Sequence, residues 1–416
     1  MNSTFSNVMY KALQSIIGFS LLAIQSRFLI QEDLAIFAIA QSLLVVVALF
    51  DFGLGVNLTT WIVKFCDNKY LTNQDRKIVS RALIIKKRNK IFVVGFVQSI
   101  FFGAVFLFLV SSLTGEKTFA LSCFFTISVL LHSVGLNFGR LFLATGDIAL
   151  LVKLQMIGSL IAFLATIIGL KSSYNLIISI LALSFSSIFL GLSSLKISKS
   201  ERGFSMLDVS KYEWPSGKRE FKKITHIQIG QFLHISLPLL IQFILVSRFS
   251  PGAVIVYTIC QKFISSIGNI FGSEIQLNYS LQGNARRIEM NDVARYYRNY
   301  AGYLITSCFV SIAVWLAWED LYSSIGRPSL ITLLSFIPLG LLVLVDQALR
   351  YRLYFFSRFK LEMIASLIYI VLFVSFVPFT LTPTILALNI FLILSFIPKW
   401  FFLFSSRQVF LGKGMN

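Results

Sequence analysis

Three basic side chains stand where an apolar chain has little room for charge. Lys262 lies near the middle of one apolar stretch, and Arg27 and Arg248 close two others. A cation at the centre of a membrane span costs roughly 2.5–3.5 kcal/mol on insertion scales. That cost must be offset by an internal carboxylate, by backbone carbonyls, or by water and an anion in an open cavity. The two arginines sit in near-copies. Ser26-Arg27-Phe28, followed by Phe37-Ala38-Ile39-Ala40-Gln41, matches Ser247-Arg248-Phe249, followed by Tyr257-Thr258-Ile259-Cys260-Gln261. Each copy puts an arginine at the exit of one apolar segment and a glutamine, Gln41 or Gln261, inside the next. So near a span end, each arginine could instead snorkel to lipid headgroups. Their repetition, together with the glutamines, argues that both copies hold an anionic, oxygen-rich group.

Other polar residues inside apolar stretches are secondary candidates. His132, Asn137 and Arg140 share one segment, and His132 and Arg140, eight apart, fall on one helical face. This stripe could line a cavity, and His132 could bind a proton near neutral pH; a histidine satisfied by helix packing is the competing reading. Asp51, ahead of Phe52-Gly53-Leu54-Gly55, is either part of a gate or an interfacial carboxylate ending a helix. Asp346 has Arg350 one turn on, a natural pairing distance. Lys399, after Pro398, is open to a coupling or gating role. No HExxH, phosphate-cradling glycine loop before Lys-Ser/Thr, or nucleophile elbow occurs, so the residues point to no catalytic site and no metal site. Cys66, Cys123, Cys260 and Cys308 are scattered without CxxC spacing and read as small apolar fillers.

The elements that carry these residues follow from composition. Hydrophobic residues make up 56% of the 416-residue chain and charged ones 13%, with a mean hydropathy of +0.79. Such values exclude an ordinary soluble domain and describe a chain lying mostly in a bilayer. Stretches of about 17–25 apolar residues are long enough to cross the ~30 Å hydrocarbon layer. They fall near 9–30, 34–56, 91–113, 119–141, 149–170, 174–195, 226–247, 252–272, 301–318, 330–349, 362–380 and 384–404. With the N-terminus in the cytoplasm, most of the 37 lysines and arginines face inward, as the positive-inside rule asks. The net charge of +19 then belongs to a basic rim facing anionic membrane lipids, not to nucleic acid. The order of spans and loops repeats. In each half two spans meet at a tight outer turn, a longer cytoplasmic segment follows (57–90 and 274–300), and four more spans complete the set. Both cytoplasmic segments read as interfacial amphipathic helices. The predicted fold is all-α and polytopic: twelve transmembrane helices in two six-helix lobes related by a parallel repeat, both termini cytoplasmic. The lobes are 1–195 and 226–416, joined by a basic cytoplasmic linker, 196–225. All eight prolines lie at 215 or beyond, and Pro238, Pro338, Pro378 and Pro398 fall inside second-lobe spans, where they favour bends. The first lobe uses glycines such as Gly18, Gly53, Gly55 and Gly158 instead.

At Gln25-Ser26-Arg27-Phe28, the acidic turn Glu32-Asp33, Phe37 and Asp51-Phe52-Gly53-Leu54, the chain resembles the Wzx-type O-antigen flippases. These are polysaccharide transporters of the multidrug/oligosaccharidyl-lipid/polysaccharide exporter superfamily. Tyr257 followed by Gln261-Lys262 is similar to the Tyr-x-x-x-x-Lys/Arg region of that family. The Ser250-Pro251-Gly252 turn departs from it, since many relatives carry a more glycine-rich turn with an acidic residue ahead. The resemblance implies a multi-pass protein of the bacterial inner membrane, serving lipopolysaccharide or other polysaccharide biosynthesis. It would flip undecaprenyl-diphosphate-linked oligosaccharide to the periplasmic leaflet by alternating access. On that reading Arg27, Arg248 and Lys262 hold the diphosphate. Gln41, Gln261 and Asn137 bond sugar or phosphate oxygens, and Arg140 lies on the same stripe. No cofactor is implied; coupling to H+ or Na+ is open, with His132 a candidate for the proton. Partners would be the lipid-linked oligosaccharide, anionic lipids and other polysaccharide-assembly proteins. The first alternative is a multidrug or small-metabolite exporter of the same superfamily, which a deep first-lobe carboxylate would favour. A membrane polymerase or transferase is a third, and would need a catalytic outer loop that the short connections do not supply.

Overall fold

The computed structural model describes residues 3–49, 88–111, 118–144, 148–170, 172, 174–199, 229, 233, 239–241, 243–281, 290–322, 325–355, 359–376 and 384–405. The chain is all-α, with no strand among these residues. It divides into two compact units, Met1–Gln231 and Phe232–Asn416. Among the described residues, six helices are long and apolar enough to cross a membrane, and four shorter apolar helical stretches coincide with other expected spans. The two remaining expected spans coincide with the helices Gln31–Leu49 and Pro251–Leu281. Asp51, Pro238, Pro378 and most of 57–90 and 196–225 lie outside the described residues.

The first unit contains α1 (Ser3–Phe28), α2 (Gln31–Leu49), α3 (Arg88–Val110), α4 (Thr118–Ala144), α5 (Ile148–Gly169), α6 (Asn175–Ala182) and α7 (Phe185–Lys199). Here α4 packs on α3 and α7, while α5 packs on α1 and α7. Helices in lipid gain nothing from leaving water, so close van der Waals contact between small residues has to hold them. Glycine supplies it. A Cβ on Gly135 of α4 would lie 2.1 Å from the Ser187 carbonyl oxygen of α7, and one on Gly191 of α7 would lie 3.0 Å from the Gly135 Cα. Likewise a Cβ on Gly158 of α5 would lie 2.6 Å from the Ser186 Cα. The backbones of α4, α5 and α7 therefore touch directly. Larger side chains fill the α3–α4 seam, where Phe106 and Phe125 stack at 4.3 Å.

Span six, expected as one helix, is interrupted. Its two parts, α6 and α7, meet at a turn where the Ser184 amide donates to the Leu181 carbonyl at 3.1 Å. The Ser184 hydroxyl donates to the same carbonyl at 2.7 Å. A serine that bonds back to its own backbone competes with the helical ladder and bends it.

The second unit contains the helical stretch Leu239–Arg248, α8 (Pro251–Leu281), α9 (Met290–Leu316), α10 (Trp318–Leu321), α11 (Leu330–Leu334), α12 (Phe336–Phe355), α13 (Phe359–Phe376) and α14 (Ile385–Ser405). Ser250 and Pro251 start α8 as cap and first residue, with the Ala253 amide 3.4 Å from the Ser250 hydroxyl. Running for 31 residues, α8 spans about 46 Å and outruns the hydrocarbon layer. The described residues of 274–300, expected as a cytoplasmic interfacial helix, belong instead to α8, which continues through Leu281, and to α9, which already starts at Met290. Proline explains the break between α11 and α12. Pro338 has no N–H for the Leu334 carbonyl and its ring crowds that oxygen, so the chain turns at Ser335. Pro398, by contrast, is accommodated within α14.

The packing order repeats between the units. In the first, α2 packs on α3 and α4; in the second, α8 packs on α9 and α12. The fourth span packs on the sixth in both, as α4 on α7 and α12 on α14.

Candidate functional site

The repeated sequence folds the same way in both units. The Ser26 hydroxyl donates back to the Ala23 carbonyl at 2.8 Å, and the Ser247 hydroxyl to the Ile244 carbonyl at 3.3 Å. In each copy the arginine, Arg27 or Arg248, is exposed at the end of its helix. The next helix then buries four consecutive residues: Phe37, Ala38, Ile39 and Ala40 in one copy, Tyr257, Thr258, Ile259 and Cys260 in the other. The glutamine that follows leaves the packed run, Gln41 half-buried and Gln261 exposed. In both units the motif thus turns its apolar side inward and leaves its arginine accessible.

A buried polar chain crosses the first unit. Gln98 of α3 is fully buried; its amide nitrogen reaches the Val47 carbonyl of α2 at 3.5 Å. Its amide oxygen accepts from the Ser133 hydroxyl of α4. One turn on, the Asn137 amide donates to the Ser133 carbonyl at 3.0 Å. His132 faces the other way, with Nδ1 2.9 Å from the Ser187 hydroxyl of α7. His132 and Asn137 therefore serve two different interfaces, because five residues turn a helix by about 140°. The Arg140 side chain lies outside the described ones. Among the described residues, His132 Nε2, Asn137 Oδ1, Gln41 Oε1 and both amide atoms of Gln25 have no hydrogen-bond partner. Buried atoms of this kind are the ones that water or the polar atoms of a solute satisfy.

In the second unit, Lys262 is half-buried on α8, about 16 Å along the helix from Pro251 at the usual rise. Lys399 is 1% exposed, and its Nζ lies 2.5 Å from Asp346 Oδ1 of α12. The rings of Tyr369 and Phe396, 4.2 Å apart, each lie 5.4 Å from the same Nζ. Asp346 thus has an ion-pair partner on another helix; the side chain of Arg350, the expected partner, lies outside the described ones. Between two charges held this far from water the attraction is strong, and each is neutralised by the other. Lys399 thus makes its ion pair inside its own unit. Gln98, Ser133 and Ser187 were not among the sequence candidates. Their signal was a glutamine and serines standing within otherwise apolar spans.

No group of three or more His, Cys, Asp and Glu that could hold a metal occurs among the described residues. No protein-family model matches the sequence, and no curated protein matches it. Solved structures do match the fold. An inward-facing multidrug resistance MATE family transporter of the MOP superfamily superposes with a TM-score of 0.59 at 12% identity, over 98% of each chain. A MATE structure in a bent conformation gives 0.58 at 11%, over 98% of this chain and 94% of that one. A MOP superfamily transporter from Pyrococcus furiosus gives 0.60 at 12%, over 98% of both, and is described as having a binding pocket of reverse polarity. This chain is a multi-pass, all-α membrane protein with the MATE-type fold over 98% of its length.

Proposed function

We propose that this chain is a membrane transporter of the MOP type, exporting an organic solute by alternating access of its two units. The single observation that carries the reading is likeness of fold to MATE transporters over 98% of both chains. A repeated packing order in the two units supports it, since paired repeats are the usual frame of alternating access. On this reading the exposed Arg27 and Arg248 and the half-buried Lys262 recognise the solute. Gln41, Gln261 and Asn137 add hydrogen bonds, and a small metabolite or drug-like molecule is the cargo.

A second reading is a flippase for diphosphate-linked oligosaccharide in the bacterial inner membrane. One observation favours it: the deep carboxylate Asp346 is committed to Lys399, so it is poorly placed to receive a cationic drug. Arginine and lysine suit a diphosphate well. One experiment separates the readings: the protein is reconstituted in proteoliposomes with a fluorescent organic cation, an organic anion and a diphosphate-linked oligosaccharide. Leaflet exposure or efflux of each is then followed in wild type and in the variant Arg27→Ala with Lys262→Ala. Movement of the oligosaccharide, lost in the variant, establishes the flippase. Movement of small solutes alone establishes the exporter, and no gradient-dependent movement of any of the three overturns both.

A further inference from the structure

Two parallel helices of the second unit are fastened at two levels, and each level coincides with a defect in one helix. At the first, Ser335 sits on the break between α11 and α12. Its hydroxyl donates to the Thr332 carbonyl at 2.6 Å and accepts from the fully buried Asn389 amide of α14 at 2.8 Å. At the second, Lys399 of α14 meets Asp346 of α12 immediately after Pro398, which removes a helical hydrogen bond to the Leu394 carbonyl. From Ser335 to Asp346 the rise is about 16.5 Å and from Asn389 to Lys399 about 15 Å, so the two fastenings keep register to about one residue. Around the second level, Ala365 of α13 packs against Val345 of α12 and Trp400 and Phe402 of α14.

We propose that Asp346 and Lys399 form a releasable lock on a hinge at Pro398. With the pair closed, the last turns of α14 are held against α12 and α13. With it open, those turns swing about Pro398 while the Ser335–Asn389 fastening keeps the upper helices together. Geometry favours this over simple bracing. An ion pair in lipid is a costly brace compared with apolar packing, and this one sits next to the point where α14 bends most easily. The role in transport rests on the transporter reading above, as the moving element of the second unit.

The test measures hydrogen exchange across α12–α14 in the full-length protein in lipid nanodiscs. Asp346→Leu with Lys399→Met replaces the pair by apolar groups, and Asp346→Lys with Lys399→Asp restores it in reverse. The expected result is exchange in 399–405 faster by about tenfold or more in the apolar variant, unchanged exchange in 385–394, and recovery in the reversed pair. Wild-type exchange in a folded apolar variant overturns the lock. If the apolar variant does not fold, the reversed pair decides: wild-type protection of 399–405 supports the lock, and its loss overturns it. Solute movement is followed alongside. A wild-type protein that moves nothing refutes the transporter reading, while exchange still decides whether the hinge is locked.

Discussion

Gly135→Ala should damage the first unit more than any other single methyl added along its glycine seam. The added Cβ would lie 2.1 Å from the Ser187 carbonyl oxygen and 2.4 Å from the carbonyl carbon. Both are backbone atoms, so no rotamer change relieves the clash, and α4 and α7 must separate by about 1 Å or more to reach ordinary contact. That movement acts on the residue whose hydroxyl bonds His132 at 2.9 Å, and stretches the bond beyond hydrogen-bonding range. Overpacking costs about 1–3 kcal/mol and a lost hydrogen bond about 1 kcal/mol, giving about 2–4 kcal/mol together. Gly139→Ala provides the control. Its Cβ would meet the Leu190 side chain, also at 2.1 Å, but a leucine can rotate, so the expected loss is under half as large. Reversible unfolding in mixed micelles measures both. A Gly135→Ala variant within about 0.5 kcal/mol of wild type would refute the reasoning, because the backbones would then not be in contact.

Lys399→Met alone should destabilise the protein by about 3–5 kcal/mol by leaving Asp346 buried and charged, whereas adding Asp346→Leu should recover most of this global stability while the last turns of α14 still exchange faster; the same unfolding assay reads both stabilities. Ser187→Ala should cost about 1–3 kcal/mol, since it removes the one described partner of the His132 ring, and Ser187→Thr should restore part of that. Pro338→Ala supplies a donor for the Leu334 carbonyl. It should join α11 to α12, seen as slower hydrogen exchange at 334–339; unchanged exchange would show that Ser335, not Pro338, sets the break.

The spans were legible because a stretch of about 20 apolar residues has few other fates, and ten of the expected twelve coincide with apolar helical stretches. Local chemistry marked the break before α12, since Pro338 announces it. Nothing comparable announced the Ser184 turn, where a hydroxyl bond makes the bend and serine is otherwise common in helices through lipid. The partner of Asp346 was out of reach for another reason. Sequence shows Arg350 one turn away, but Lys399 becomes a neighbour only once α12 and α14 pack side by side. The helix that covers His132 was out of reach for a similar cause: periodicity gives the face of a helix, not which helix packs on it. Gln98 carries no charge to mark it out, although a glutamine amide in lipid needs partners almost as urgently as an ion does.

The length of α8 carries a practical consequence. It is one unbroken helix of 31 residues, with Lys262 about a third of the way along. Treated as a rigid lever pivoting at Pro251, a tilt of about 10° carries Lys262 through about 3 Å and Leu281 through about 8 Å. The far tip thus magnifies, nearly threefold, whatever the level of Lys262 does. A spectroscopic probe near Leu281 would report small displacements around the cation from a distance, without touching the residues whose chemistry is in question.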